Sequence, residues 1–254
     1  MKQTTLRTET INVNENITFP IGTAIAVEQC FSKLHFSEVF GKHKKKGRCL
    51  TSLIQALVTY RLTENLSISC ASDWINRPQI LNEFKLECFD EKTLFRALVL
   101  LGENKEQIIL DIQNELFKRY NFEHTDTNMD WTSIVLYGNK SPLGKYGYSR
   151  DHRPDKKQIT IGLAELASPI NMPIGLTIKP GNTNDQTHFK DTFSQVSRHL
   201  KEDSLVAYDK GGNSKENNEL ILAHKMKYLT SKKFNLSDDK RIKNFSKFNA
   251  ECID

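Results

Sequence analysis

Cysteine is scarce in this chain and poorly spaced for chemistry. Only five of the 254 residues are cysteine, namely Cys30, Cys49, Cys70, Cys88 and Cys252, and no two form a Cys-x-x-Cys pair. The odd number and the spacing argue against both a disulfide framework and zinc knuckles. Four of them, Cys30, Cys49, Cys70 and Cys88, sit among apolar residues and are expected to pack as small reduced hydrophobes. Long apolar runs are missing as well. Nothing approaches the ~20 residues that a membrane helix needs. The start, MKQTTLRTETINVNENITFP, lacks the apolar core of a signal peptide. These absences lead to the expectation of a soluble cytoplasmic protein with no membrane partner. Internal repeats and low-complexity linkers are also lacking. So is a large charge excess: the formal net charge is +5. Such a balance helps phosphate binding but does not by itself establish a nucleic-acid partner.

What is present suits a globular chain. Hydrophobic residues make up 38% and charged residues 26%, enough for one large domain or two ordinary ones. The hydrophobic period divides the chain. From about residue 22 to 120 it is helical. Leu50, Leu53, Ile54, Leu57 and Val58 fall at helix spacing. Leu94, Phe95, Leu98 and Leu101 form a second stripe after Asp90, an N-cap candidate. Ile108, Ile109, Ile112, Leu116 and Phe117 form a third. The stretch 66–98 reads helix, break at Pro78, helix. It fits a helix-turn-helix with Lys92, Thr93 and Arg96 facing DNA, and equally three packed helices without DNA contact. The run Lys42-His43-Lys44-Lys45-Lys46-Gly47-Arg48 is either a solvated loop or a phosphate-contacting one.

After about residue 124 the period becomes two. Strands are expected over 127–138, 158–166, 172–181, 204–209 and 227–231, with helices over 184–200 and 214–225. In the first strand Met129 and Trp131, then Ile134 and Leu136, alternate with polar neighbours. Phe189, Phe193 and Val196 form the inner face of the first helix. Three meander strands followed by alternating helix and strand imply a mixed sheet with flanking helices. Gly181 and Asn182 read as a tight turn and Asp185 as the cap of the following helix.

Two acids stand out in this half. Asp130 lies inside the first strand, and Asp209 ends the apolar run Leu205-Val206-Ala207-Tyr208. If strands one and four are neighbours, both carboxylates project at one edge of the sheet. Two like charges that close disfavour each other unless a cation intervenes. Mg²⁺ or Mn²⁺, hard ions with oxygen ligands, would resolve the conflict. A plain turn role for Asp209 before two glycines, and a backbone bond for Asp130, explain the same residues.

The stretches LGKYGYSRDHRPDKKQITIGLAEL (143–166), MPIGLTIKPGNTNDQTHF (172–189) and SLVAYDKGGNSKENNELI (204–221) together resemble the DDE transposases of prokaryotic insertion sequences. The similarity is to the group whose catalytic core contains a β-rich insertion, and it runs from about residue 125 onward. It implies a ribonuclease H-like core that cuts and joins DNA strands with two Mg²⁺ (or Mn²⁺) ions. Asp130 then matches the first acid and Asp209 the second. Arg150, His152, Arg153 and Lys156, between strands one and two, are expected to contact phosphates or a leaving oxygen, with a polar hairpin loop as the alternative. The resemblance also calls for a third acid, a Glu in a Tyr-Arg-Glu-Lys arrangement. Only 45 residues follow Asp209 in the chain of 254, and none matches it. Glu251, Asp238 and Asp239 do not take that place.

The expectation is therefore an α+β and α/β mixture in three parts. Residues 1–21 form an extension. Residues 22–123 form a helical, DNA-binding domain. Residues 124–254 form a truncated ribonuclease H-like core with an incomplete two-ion site. The expected activity is DNA transposition at mobile-element ends, weak in this chain alone. Its partners would be double-stranded DNA, a second copy or a full-length transposase, so the protein would be nucleoid-associated when DNA-bound. A non-catalytic module that occupies element ends is the alternative.

Overall fold

The computed structural model describes residues 21–44, 46–148, 152–168 and 171–232. The chain divides into two compact units, Met1–Leu116 and Phe117–Asp254. The division falls inside a helix, close to where the hydrophobic period changes.

Among its described residues the first unit is all helix: α1 (Ile21–Lys33), α2 (Phe36–His43), α3 (Leu50–Thr63), α4 (Ile68–Ile75), α5 (Pro78–Glu83), α6 (Lys92–Glu103) and most of α7 (Lys105–Arg119). Helix α3 is the hub, packing on α1, α2, α4 and α6. It can do so because Leu50, Leu53, Ile54, Ala56 and Tyr60 are all buried. An aromatic cluster closes one end, with Phe31 5.1 Å from Phe36 and 6.0 Å from Phe40 between ring centres. Asn76 joins α4 to the turn before α6. Its amide donates to the Phe89 carbonyl at 2.9 Å, and its Oδ1 accepts from the Phe89 amide at 2.9 Å.

Several expectations are corrected here. Cys30, Cys49, Cys70 and Cys88 are exposed. The buried stripe of α1 is Ala24, Val27 and Phe31, which turns Cys30 outward. Cys70 sits in the first turn of α4, where its amide donates to the Ser67 cap oxygen at 3.1 Å. Phe95 is 49% exposed because the inward stripe of α6 is Leu94 and Ala97. Residue 95 lies about 100° around the helix from residue 94.

The second unit holds a five-stranded mixed sheet in the order β3-β2-β1-β4-β5. Strands β1 (Thr127–Leu136), β2 (Lys157–Leu166) and β3 (Met172–Pro180) form an antiparallel meander. Strands β4 (Leu205–Tyr208) and β5 (Lys227–Thr230) continue the sheet parallel to β1. A parallel neighbour needs a crossover. Helix α8 (Asp185–Val196), extended by a 3-10 turn at Ser197–His199, supplies the one into β4, and α9 (Lys215–Ala223) the one into β5.

Helix α8 covers one face of β1, β2 and β3. Phe189, Phe193 and Val196 on it are fully buried. Phe189 meets Trp131 at 5.6 Å and Tyr208 at 4.9 Å. A buried polar network crosses the same layer. Trp131 Nε1 donates to Thr192 Oγ1 at 3.1 Å, Thr192 and Thr177 share a 2.8 Å bond, and Thr177 meets His188 Nε2 at 2.8 Å. Gly162 makes room for it. A methyl there would lie 2.7 Å from Thr177 Oγ1 and 2.8 Å from Trp131 Nε1. The covered side of β1 is thus Thr127, Met129, Trp131 and Ser133, while Asp130 and Ile134 lie on the other face and are exposed. The alternation runs unbroken as far as Ile134, which therefore does not share the inner face of Met129 and Trp131.

Candidate functional site

The strand register decides where the two acids lie. Strand β1 pairs with β4 through Thr127↔Val206, Asn128↔Ala207 and Met129↔Tyr208. One step further along both strands come Asp130 and Asp209. Facing residues on parallel strands project to the same side of a sheet, and neighbouring strands run about 4.8 Å apart. Met129 and Tyr208 are both buried under α8. Asp130, the next residue of β1, is on the opposite, exposed face, and Asp209 is the first residue past the end of β4.

Each acid also has a local role. Asp130 Oδ1 accepts from the Trp131 amide at 2.8 Å. Asp209 Oδ1 accepts from the amides of Gly211 at 2.9 Å and Gly212 at 3.4 Å, the geometry of an Asx turn. The turn reading of Asp209 is thus realised by one of its oxygens.

A third carboxylate joins Asp209. A methyl on Gly211 would strike Asp185 Oδ2 and lie 3.0 Å from Asp209 Oδ1. Both oxygens lie within 3.0 Å of that one point, so they are no more than twice that distance apart. Asp185 is the first residue of α8 and not its cap. The cap is Asn184, whose Oδ1 accepts from the Thr187 amide at 2.8 Å. The sequence carries no local sign of the Asp185 approach, because it depends on α8 beginning beside the turn that follows β4. Asp185 and Asp209 line a cavity of about 710 Å³ that also takes in Thr132 of β1, Tyr148 and His152.

The other expected contact residues separate. Arg150 lies outside the described residues. His152 lines the cavity, in left-handed backbone with φ 54°. Arg153 is held in a two-pronged pair with Asp155, at 2.9 and 2.8 Å. That bond holds the Asp155 carboxyl down to about 2 and raises the Arg153 guanidinium further above its already high value. Arg153 therefore meets an incoming phosphate only in competition with Asp155. Lys156 Nζ lies 5.7 Å from the centre of the Tyr137 ring. In the helical unit Lys92 and Arg96 are exposed on α6. Part of the basic run before α3 is tied down within that unit. Lys42 pairs with Asp111 at 3.3 Å, and Arg48 donates to the Cys88 carbonyl at 2.7 Å. Among the described residues no group of three or more His, Cys, Asp or Glu is placed to hold a metal ion, and no helix is long and apolar enough to cross a membrane.

No protein-family model matches the sequence, and no curated protein does. A solved structure does match: a cryo-EM structure of piggyBac transposase in a synaptic complex with hairpin DNA, over 88% of this chain, with 14% sequence identity and a TM-score of 0.51. The chain spans 54% of the length of that transposase chain. At this identity the likeness is one of fold, and the chain has a transposase-like mixed α/β architecture.

Proposed function

We propose that this chain is a DDE transposase of the prokaryotic insertion-sequence type, with a helical DNA-binding part and a ribonuclease H-like core that acts on DNA at mobile-element ends. The observation that carries the reading is the parallel β1–β4 register, whose last pair, Met129↔Tyr208, immediately precedes Asp130 and Asp209 in the sequence. The strand order, an antiparallel meander extended by parallel strands, and the likeness to a transposase in complex with DNA support it.

Asp130 and Asp209 supply hard oxygen donors, and one or two carboxylates suffice for a Mg²⁺ ion that keeps several waters. On this reading Asp130 and Asp209 would hold one divalent ion. Such an ion would lower the pKa of a bound water and neutralise charge on a scissile phosphate. The chain's own part is to orient these carboxylates, through the Trp131 amide and the Gly211–Gly212 turn. His152 and Lys156 would position the phosphate. Asp185 comes close to Asp209, but no group of three such ligands is placed to hold a metal among the described residues, so strand transfer by this chain alone is expected to be weak.

Titration with Mn²⁺ tests the reading. Binding should be lost in Asp130→Asn and in Asp209→Asn. Equal binding by both variants and the unaltered chain would remove the shared-ion site. The lack of a three-ligand group among the described residues favours a second reading, a DNA-binding module without catalysis. Mg²⁺-dependent nicking that Asp130→Asn abolishes excludes that module. DNA binding with no nicking supports it.

A further inference from the structure

We propose that Tyr148, with Tyr146 two residues before it, forms a stacking platform for an unpaired DNA base at the mouth of the cavity that holds Asp209. The proposal rests on the transposase reading above and adds to it the form of DNA that the site accepts. Tyr148 is 85% exposed and Tyr146 59% exposed. Two large rings in water would be unremarked on a loose loop, but their backbone is firmly held. Buried Gln158 donates from Nε2 to the Tyr148 carbonyl at 2.7 Å and to the Gly181 carbonyl at 3.0 Å. Lys145 and Gln158 exchange backbone bonds of 3.1 and 2.9 Å, and the Gly181 amide donates to the Leu143 carbonyl at 3.2 Å. Between the two tyrosines, Gly147 is pressed onto Gly181, where a methyl would collide with the Gly181 carbonyl. With Gly147 turned inward, its neighbours turn outward. A fixed backbone presenting exposed tyrosines binds at little cost in conformational entropy.

The surroundings select the ligand. Tyr148 lines the same cavity as His152, Asn182, Thr183, Asp209 and Lys210. Its volume of about 710 Å³ falls within the range of small-ligand sites. An aromatic rim takes the face of any base, neutral polar walls can bond a base edge, and a lysine beside the acids suits a phosphate. Within a duplex both faces of a base are already stacked. A ring platform therefore favours a nucleotide that has left its pair.

The experiment uses the full chain with Mg²⁺ and two DNA probes of one mixed sequence. One is a blunt duplex. The other carries a single-stranded tail with the fluorescent base 2-aminopurine, which is quenched on stacking. The unaltered chain should quench the tail and prefer the tailed probe. In Tyr146→Ala/Tyr148→Ala the quench should vanish and affinity for the tailed probe fall about tenfold, as expected for lost base stacking. Affinity for the blunt probe should stay unchanged, and Tyr148→Trp should retain the quench. A double variant that quenches and binds the tail like the unaltered chain overturns the platform and leaves the transposase reading standing. Failure of the unaltered chain to bind either probe overturns both.

Discussion

His188 is a buried, strongly perturbed ionisable group of the sheet unit. Burial lowers its pKa from 6.5 to about 4. It is fully buried between Thr177 Oγ1 at 2.8 Å and Thr160 Oγ1 at 3.3 Å, with the Lys179–Asp191 pair nearby. The folded state holds the imidazole neutral, whereas the unfolded chain protonates it near 6.5. Between those two values the unfolded state binds more protons, so stability falls as the pH drops through that window. Above about 6.5 the residue contributes no pH dependence. The full loss is about 3 kcal/mol once the pH is below the folded value. Denaturant titrations at steps from pH 7 to pH 4 should show this decline, and His188→Gln should flatten it. An equal decline in the variant would assign the acid sensitivity to other groups. The exposed Asp155, held down to about 2, titrates below this window and does not confuse the two.

Helix α8 organises the sheet unit, and Phe189 is its centre. The ring is fully buried against Trp131, Phe193 and Tyr208, at 5.6, 5.8 and 4.9 Å between ring centres. Two of those neighbours flank the candidate acids in sequence. Phe189→Ala should cost about 3–5 kcal/mol in a denaturant titration, while Phe189→Leu should cost less than about half of that. A small effect of the alanine variant would mean that α8 is not the cover of the sheet. This helix was legible in the sequence because Phe189, Phe193 and Val196 repeat at helical spacing on an otherwise polar stretch. The strands were legible too, since period-two segments bounded by Gly and Pro have few other solutions. The limits of pattern reading lay where a phase or a distant partner decides. Cys30 and Phe95 look apolar in the sequence, yet one residue of helix phase puts each outside. Asp185 reads as a cap, but Asn184 takes that bond. The approach of Asp185 to Asp209 rests on the missing side chain of Gly211, a tertiary fact with no local trace. That β4 lies beside β1 could be foreseen from the order of the elements, because a strand that returns through a helix pairs parallel to a neighbour in the same sheet.

Across the whole chain the net charge of +5 is too small for DNA affinity to come from a diffuse field. A salt-dependent affinity would have to come from particular side chains. Each phosphate neutralised adds about 0.9 to the slope of log affinity against log salt concentration. Lys92 and Arg96 are exposed on α6, and on the helix-turn-helix reading each meets one phosphate. Lys92→Ala/Arg96→Ala should therefore reduce the steepness of that slope by about two, measured with duplex DNA over a salt series. Arg153→Ala should leave it nearly unchanged, because the guanidinium is already occupied by both oxygens of Asp155. Asp155→Asn removes that competitor and should steepen the slope by up to about one, for a single added phosphate contact. The three variants carry separate information. An unchanged slope in the α6 variant takes that helix out of the DNA interface and returns it to packing alone. A steeper slope in Asp155→Asn would place the β1–β2 loop on the phosphate backbone whatever α6 does, since the exposed pair can be opened without disturbing the buried layer under α8.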